Sequence, residues 1–248
     1  MDRLIYTAMS GLSASMTQQQ VIANNMANAQ TAGFHAELVY ATPVTLTGGA
    51  LNVRVFTDGE VHGADMKAGA VTPTGQPLDV ALSGTDFFAV QAADGSEAYT
   101  RRGDLSVSPS GVLENGDGLP MLGSAGPITV PIGAKVSIGE DGAVLVANPA
   151  TPDQPPQSVD RLKIVSTAGS KIGKTLSGLF AVIGGGVLPA DDDAKLLTGS
   201  LEQSNVDPSG VMVSMVDAQR LFEIRTKVIS TAKDIDESGA GLMRMSSS

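Results

Sequence analysis

Two amphipathic stretches at opposite ends of the chain carry more apolar surface than they can bury against each other. Between Asp2 and Phe34, the residues Ile5, Ala8, Leu12, Ile22 and Met26 follow steps of three and four. That spacing puts them on one helical stripe, interrupted by the polar Ser15 and Gln19. Between Asn205 and Met245, the residues Val211, Met215, Ala218, Phe222, Ile229 and Ala232 repeat the spacing. Leu221, Ile224, Val228 and Ile235 draw a second apolar line beside it. One partner helix cannot cover both lines, so the pattern predicts neighbouring subunits. Asp207 is placed to cap the second helix, Pro208 suits its first position, and Val206 can staple onto Val211. The first helix is expected to end in the Asn-rich segment 24–34, with Gly33 as the left-handed stop and Phe34 anchoring the exit. The candidate subunit-packing residues are Ile5, Ala8, Leu12, Ile22, Met26, Phe34, Val211, Met215, Phe222, Ile224, Val228 and Ile229.

Between these ends the pattern changes. The 248 residues are 42% hydrophobic, enough for one large domain or two modest ones, but aromatics are only 4% with no Trp. Gly 29 and Pro 13 mean many turns and favour short strands. Asp94-Gly95 separates the strand-like runs 87–91 and 98–102, and Asp141-Gly142 separates 136–138 from 144–146; both are hairpin signals. Asp117-Gly118 divides Val112-Leu113 from Met121-Leu122 in the same way, and 162–165 and 179–183 read as returning strands. The short run Val53 to Phe56 lies in a connector marked by Gly48-Gly49 and Asp58-Gly59, and Thr151 to Gln157 is a Pro-rich surface excursion. The expected fold is α+β. Terminal helices 1–34 and 205–248 pair as a coiled-coil-like unit, and an all-β, hairpin-rich outer domain at 77–190 is inserted between them. An extended connector at 35–76 leads into that domain, and a return connector at 191–204 leads out.

The formal net charge of -10 repels a phosphate backbone, and no local basic patch offsets it, so nucleic acid is not an expected partner. With no Cys, disulfides and thiolate metal sites are excluded. The N-terminus is broken by Thr7, Ser10, Ser13 and Ser15, so no secretory signal is expected there. No run approaches the roughly 18 apolar residues of a membrane span.

Few features carry chemistry. Ala168-Gly-Ser-Lys-Ile-Gly-Lys174-Thr175 follows a strand-like run and meets a relaxed phosphate-loop pattern. A phosphate loop must open a helix, whereas 176–183 is short, contains Gly178 and ends in three glycines, so a Gly/Lys surface loop is the better reading. His35 and His62 are far apart and are expected to be solvated surface histidines rather than zinc ligands. Asp191-Asp192-Asp193 lacks the spaced ligands of a calcium loop. No nucleophile with a base stands out, and the methionines Met9, Met16, Met26, Met212 and Met215 sit at helical packing positions. No catalytic residue, cofactor or metal is expected. A nucleotide-binding enzyme using Ala168–Thr175 is the alternative reading.

The opening 1–11, the segment 24–34, Ser204-Asn-Val-Asp-Pro208 and Ala218-Gln-Arg220 together resemble the flagellar basal-body rod and hook family. The opening and Pro77-Leu-Asp-Val-Ala-Leu82 are most similar to its proximal-rod members. The sequence departs from the family pattern at Met26, His35 and the tail 239–248. The resemblance implies a structural subunit of the rod, a drive shaft that transmits torque across the periplasm, with a distal-rod or hook subunit as the alternative within the family. It also implies that other rod proteins and copies of the chain are partners in a helical assembly. Passage through the flagellar type III export apparatus without a cleaved signal peptide is a further implication.

Overall fold

The apolar run Phe87-Phe88-Ala89-Val90 is buried along its whole length, which a strand achieves only when both faces of its sheet are covered. Phe88 and Val90 enter one core with Val80, Leu113, Met121, Ile128, Val144 and Ile164. Phe87 and Ala89, on the opposite face, join Tyr99, Val165, Phe180 and Leu188 in a second.

The computed structural model of the chain describes residues 2–45, 55–148, 155–175, 177–191 and 193–245. The Gly48-Gly49 turn, the start of the Val53 to Phe56 run, most of the Thr151 to Gln157 excursion, Leu176, Asp192 and the last three residues lie outside these. Helix α1 (Asp2–Ala27) is followed by β1 (Glu37–Thr45), β2 (Val55–Ala64) and β3 (Val71–Pro73). Next come β4 (Val80–Leu82), β5 (Phe87–Gln91), β6 (Glu97–Thr100), β7 (Leu105–Val107) and β8 (Leu113–Asn115). They are succeeded by β9 (Lys135–Ile138), β10 (Ala143–Ala147), β11 (Gln157–Arg161), β12 (Ile164–Val165), β13 (Ile172–Lys174) and β14 (Phe180–Val182). β15 (Leu196–Thr198) and β16 (Ser200–Glu202) lead into α2 (Pro208–Met245).

The largest sheet has the order β12-β5-β6-β14-β13, and β11-β10-β9 forms a three-stranded one. β1-β2, β15-β4, β16-β3 and β7-β8 are two-stranded. Asp94-Gly95 turns β5 into β6, with Ala89 opposite Tyr99 and Val90 opposite Ala98. Asp141-Gly142 turns β9 into β10, with Val144 opposite Ile138. In both turns the glycine has positive φ, which it adopts without steric cost. Tyr99, fully buried, accepts the Leu188 N–H at 2.7 Å and donates to Glu97 at 3.0 Å. Burial pushes its phenol up to about 12.

The chain divides into two compact units. One comprises residues 1–27, 37–63 and 207–248, so the β1-β2 sheet belongs with the helices. The other comprises 28–36 and 64–206.

The expected fold, a coiled-coil-like helix pair with a single inserted all-β domain, is not the one observed. Among the described residues there are two helices and sixteen short strands dispersed over six sheets, one of which sits in the helical unit. Nor does α2 bury a continuous apolar seam. Of its described side chains only the small Ala218 and Ala232 are buried, and the partly buried Arg225 lies between them. Hydrophobic period alone could not show that polar groups hold this pair. Arg225 Nη1 donates to the Gly11 carbonyl and to Ser15 Oγ, and Gln19 Nε2 donates to the Ala218 carbonyl at 3.3 Å.

Leu113 has no exposed surface and sits at the centre of the larger core. Leu113→Ala is expected to destabilise the β-rich unit by about 2–5 kcal/mol through lost burial and the cavity left behind. Urea denaturation followed by tyrosine fluorescence checks this.

Candidate functional site

Two features stand out, one in each unit: the apolar faces of the helices, and a buried charged cluster under the segment that leaves α1.

In the helical unit, Asp207 caps α2 as its position in the sequence suggests. Its carboxylate accepts the N–H groups of Ser209 at 3.0 Å and Gly210 at 3.2 Å, and its carbonyl accepts that of Val211. Asn25 accepts the Glu37 N–H at 2.8 Å and donates to the Glu37 carbonyl at 3.0 Å, standing in for a neighbouring strand. A cavity of about 330 Å³ is lined by Met16, Gln19, Ile22, Ala23, Met215 and Ala218.

The structure does not bring the twelve candidate packing residues onto one surface. Ile22 is buried; Ala8, Leu12, Met26, Val211, Phe222 and Ile229 are half-buried. Met215, Ile224 and Val228 are exposed, Ile224 by 60% and Val228 by 46%. Ile5 lies in α1, its side chain outside the description. Phe34 belongs to the other unit, where Lys174 Nζ lies 3.7 Å from its ring centre. Met9, Met16 and Met212 are more than half exposed rather than packed.

In the β-rich unit, Glu202 at the end of β16 is the focus. Its carboxylate accepts Arg101 Nε at 2.8 Å and Nη2 at 2.6 Å, and the Gly69 N–H at 2.9 Å. Both charged side chains are about 2% exposed or less. Arg101 Nη1 also donates to the carbonyls of Gly84 and Asp86, so each guanidinium nitrogen has a partner. His35 lies against the same carboxylate and between the rings of Phe87 and Phe180. It is 3% exposed, which corrects the expectation of a solvated surface histidine; the aromatic rings that bury it are far away in sequence. The His62 side chain lies outside the description. Gly33 has φ of 66°, and a Cβ there would come within 2.4 Å of the Arg101 backbone, so only glycine fits. Its N–H donates to the Glu202 carbonyl at 2.8 Å. Asn205 accepts the Ala36 N–H and donates to the carbonyls of Asp65 and Lys67.

The phosphate-loop-like segment opens no helix. Residues 172–174 form β13, paired antiparallel with β14, and Lys174 Nζ donates to the His35 carbonyl at 3.0 Å. A strand whose lysine is spent on Phe34 and His35 does not present a phosphate cradle. The same contacts correct the reading of Lys174 as part of a surface loop. Among the described residues there is no cluster of three or more metal-ligating side chains, and no helix is long and apolar enough to cross a membrane.

Sequence reasoning missed Arg225, Ser15, Arg101 and Glu202. Glu202 lies in what reads as a polar return connector, and its partner is a hundred residues away. Only the Asn-rich composition of 24–30 and the isolated Asn205 hinted that side chains replace backbone partners here.

The matched regions define the class. The model for the "Flagella basal body rod protein" family matches residues 5–35, and that for the "Flagellar hook protein FlgE/F/G D1 domain" matches 81–146. That for the "Flagellar basal body rod FlgEFG protein C-terminal" matches 197–242. Flagellar basal-body rod protein FlgF of Salmonella typhimurium is 40% identical over 99% of this chain and all of its own length. FlgF of Escherichia coli is 42% identical over 94% of this chain and 95% of its own. The rod protein FlgG of Bacillus subtilis is 31% identical over 98% of this chain and all of its own. The chain belongs to the flagellar basal-body rod protein family and is FlgF-like within it: a structural subunit of the rod, not an enzyme.

Glu202 titrates below the usual carboxylate range. Burial alone would raise it, but the His35 ring beside it, the Arg101 charge and the Gly69 N–H together outweigh that. Asp160 is lowered too: its burial is outweighed by bonds from Ser124 and the Arg161 N–H. A depressed carboxylate contributes stability that is present above its unfolded value and lost as pH falls through the folded one. The melting temperature should therefore fall between neutral pH and strong acid, and Glu202→Gln should flatten part of that fall while lowering stability at neutral pH. Calorimetry across this range checks both.

Proposed function

We propose that the exposed apolar line of α2 is the surface through which this subunit joins its neighbours in the rod. The observation that carries this is the exposure of Val213, Val216, Ile224, Val228 and Ile235, with Ile224 60% and Ile235 54% accessible. Large aliphatic side chains recurring along one helix are a cost in water unless another surface covers them. The other candidate packing residues, Ile5, Ala8, Leu12, Met26, Val211, Met215, Phe222 and Ile229, supply the rest of the assembly surface from both helices, and Phe34 anchors the exit. In this reading the terminal regions 1–34 and 205–248 carry the assembly contacts. The partners are other rod proteins and further copies of the chain, whose shared apolar contacts make a stiff shaft that transmits torque across the periplasm. The family relationship supports export by the flagellar type III route, with no signal peptide removed.

Ile224→Asp/Val228→Asp tests the surface. Both positions face water in the single subunit, so the variant should match the parent's stability within about 0.5 kcal/mol. At normal protein level its cells should make no complete rods and should not swim. Normal rods and swimming would remove this face from the assembly.

A further inference from the structure

Asn205 lies between β16 and α2, beside the point where the chain leaves the β-rich unit. That unit is entered or left at residues 28, 36, 64 and 206, and Asn205 holds the chain beside three of these points. Its Oδ1 accepts the Ala36 N–H at 2.7 Å, and its Nδ2 donates to the carbonyls of Asp65 and Lys67 at 2.8 Å each. Its own N–H donates to the Phe34 carbonyl at 3.2 Å. The amide has only one orientation here, because a backbone N–H only donates and the two carbonyls only accept. These bonds close around a backbone pair that does not involve Asn205: the Asp65 N–H donates to the Ala36 carbonyl at 2.8 Å. The Asp65 carboxylate in turn accepts the Lys67 N–H at 3.1 Å and fixes the turn 65–67.

We infer that Asn205 is a latch: one side chain locks the outgoing Ala36, the returning stretch 65–67 and the exit at 205–206 into a single group that opens as a unit while the cores of the β-rich unit stay folded. The chemistry of the position singles out asparagine. Aspartate lacks both donors and would aim a carboxylate oxygen at two carbonyls, glutamine is one carbon longer, and serine has a single donor. The three bonds share one short arm, so the entropy of ordering it is spent once for all of them, and the loss of one weakens the rest. Opening is local because little apolar surface holds the group. Ala36, Asp65 and Asn205 are half-buried and Met66 and Lys67 exposed, whereas Leu113 in the larger core has no exposed surface. In a rod subunit under load, force reaching one of these stretches is shared by the others, so none is peeled away singly.

Hydrogen exchange by NMR on the full chain with 15N label, corrected for intrinsic rates, tests the latch. In the parent protein the amides of Ala36, Asp65 and Asn205 should show protection equal to within about three-fold, and lower than that of Leu113 by about ten-fold or more. Asn205→Asp keeps the acceptor for the Ala36 N–H and removes only the two donors, neither of which touches the Ala36 or Asp65 amide. Both amides should nevertheless exchange about ten-fold faster or more, by a common factor. Unequal protection of the three amides in the parent protein, which needs no variant to fold, overturns the inference. So does an Asn205→Asp chain in which the Asp65 amide keeps its parental rate.

Discussion

Glu202 and Arg101 form an ion pair removed from water, and the β-rich unit surrounds it with hydrogen-bond partners that offset the lost hydration. A buried carboxylate and guanidinium each lose several kcal/mol of hydration, which is recovered only when every lone pair and N–H finds a partner. Here the carboxylate takes two guanidinium N–H groups and one backbone N–H, and the remaining guanidinium nitrogen spans two carbonyls. Those partners lie near residues 69, 84–86, 101 and 202, so one interaction ties together the loop before β3, the turn before β5, the end of β6 and β16. Residues 28–36 join the same knot through Gly33 and His35. Removing either charge strands the other, which is why the pair is a constraint on the fold rather than an ornament.

The helical unit follows the opposite logic. Its polar contacts, Arg225 on Gly11 and Ser15 and Gln19 on Ala218, fix how α1 and α2 meet, while large aliphatic groups remain exposed along α2. The β-rich unit buries its apolar side chains in two cores; the helical unit leaves its own unfinished. Under the proposed role of α2, that asymmetry is a division of labour: one unit folds on its own contacts, and the other would complete its burial in the assembly.

What could be read from the sequence was local. Asp-Gly turns between alternating runs located the β5-β6 and β9-β10 hairpins, and Asp207-Pro208 located the start of α2, because turn and cap chemistry act over a few residues. The pairing of Phe180 with Tyr99 and of β15 and β16 with β4 and β3 joins distant segments and leaves no local mark. The same is true of the cluster: His35, Lys174 and Glu202 each look like solvated polar residues until their partners arrive. The coiled-coil reading failed for a related reason. Apolar spacing records where a helix can be buried, not whether Arg225 or an apolar residue fills the seam.

The central claim is that Glu202 and Arg101 act as one unit on which the β-rich fold depends. A double-mutant cycle with Arg101→Met, Glu202→Gln and the pair, by urea denaturation at neutral pH, tests it most directly. Each single change should cost about 3–5 kcal/mol, since it leaves a buried charge uncompensated. The double variant should fall short of their sum by about 2 kcal/mol or more. Single costs that add to within about 0.5 kcal/mol would show that the two side chains contribute independently, and would contradict the account.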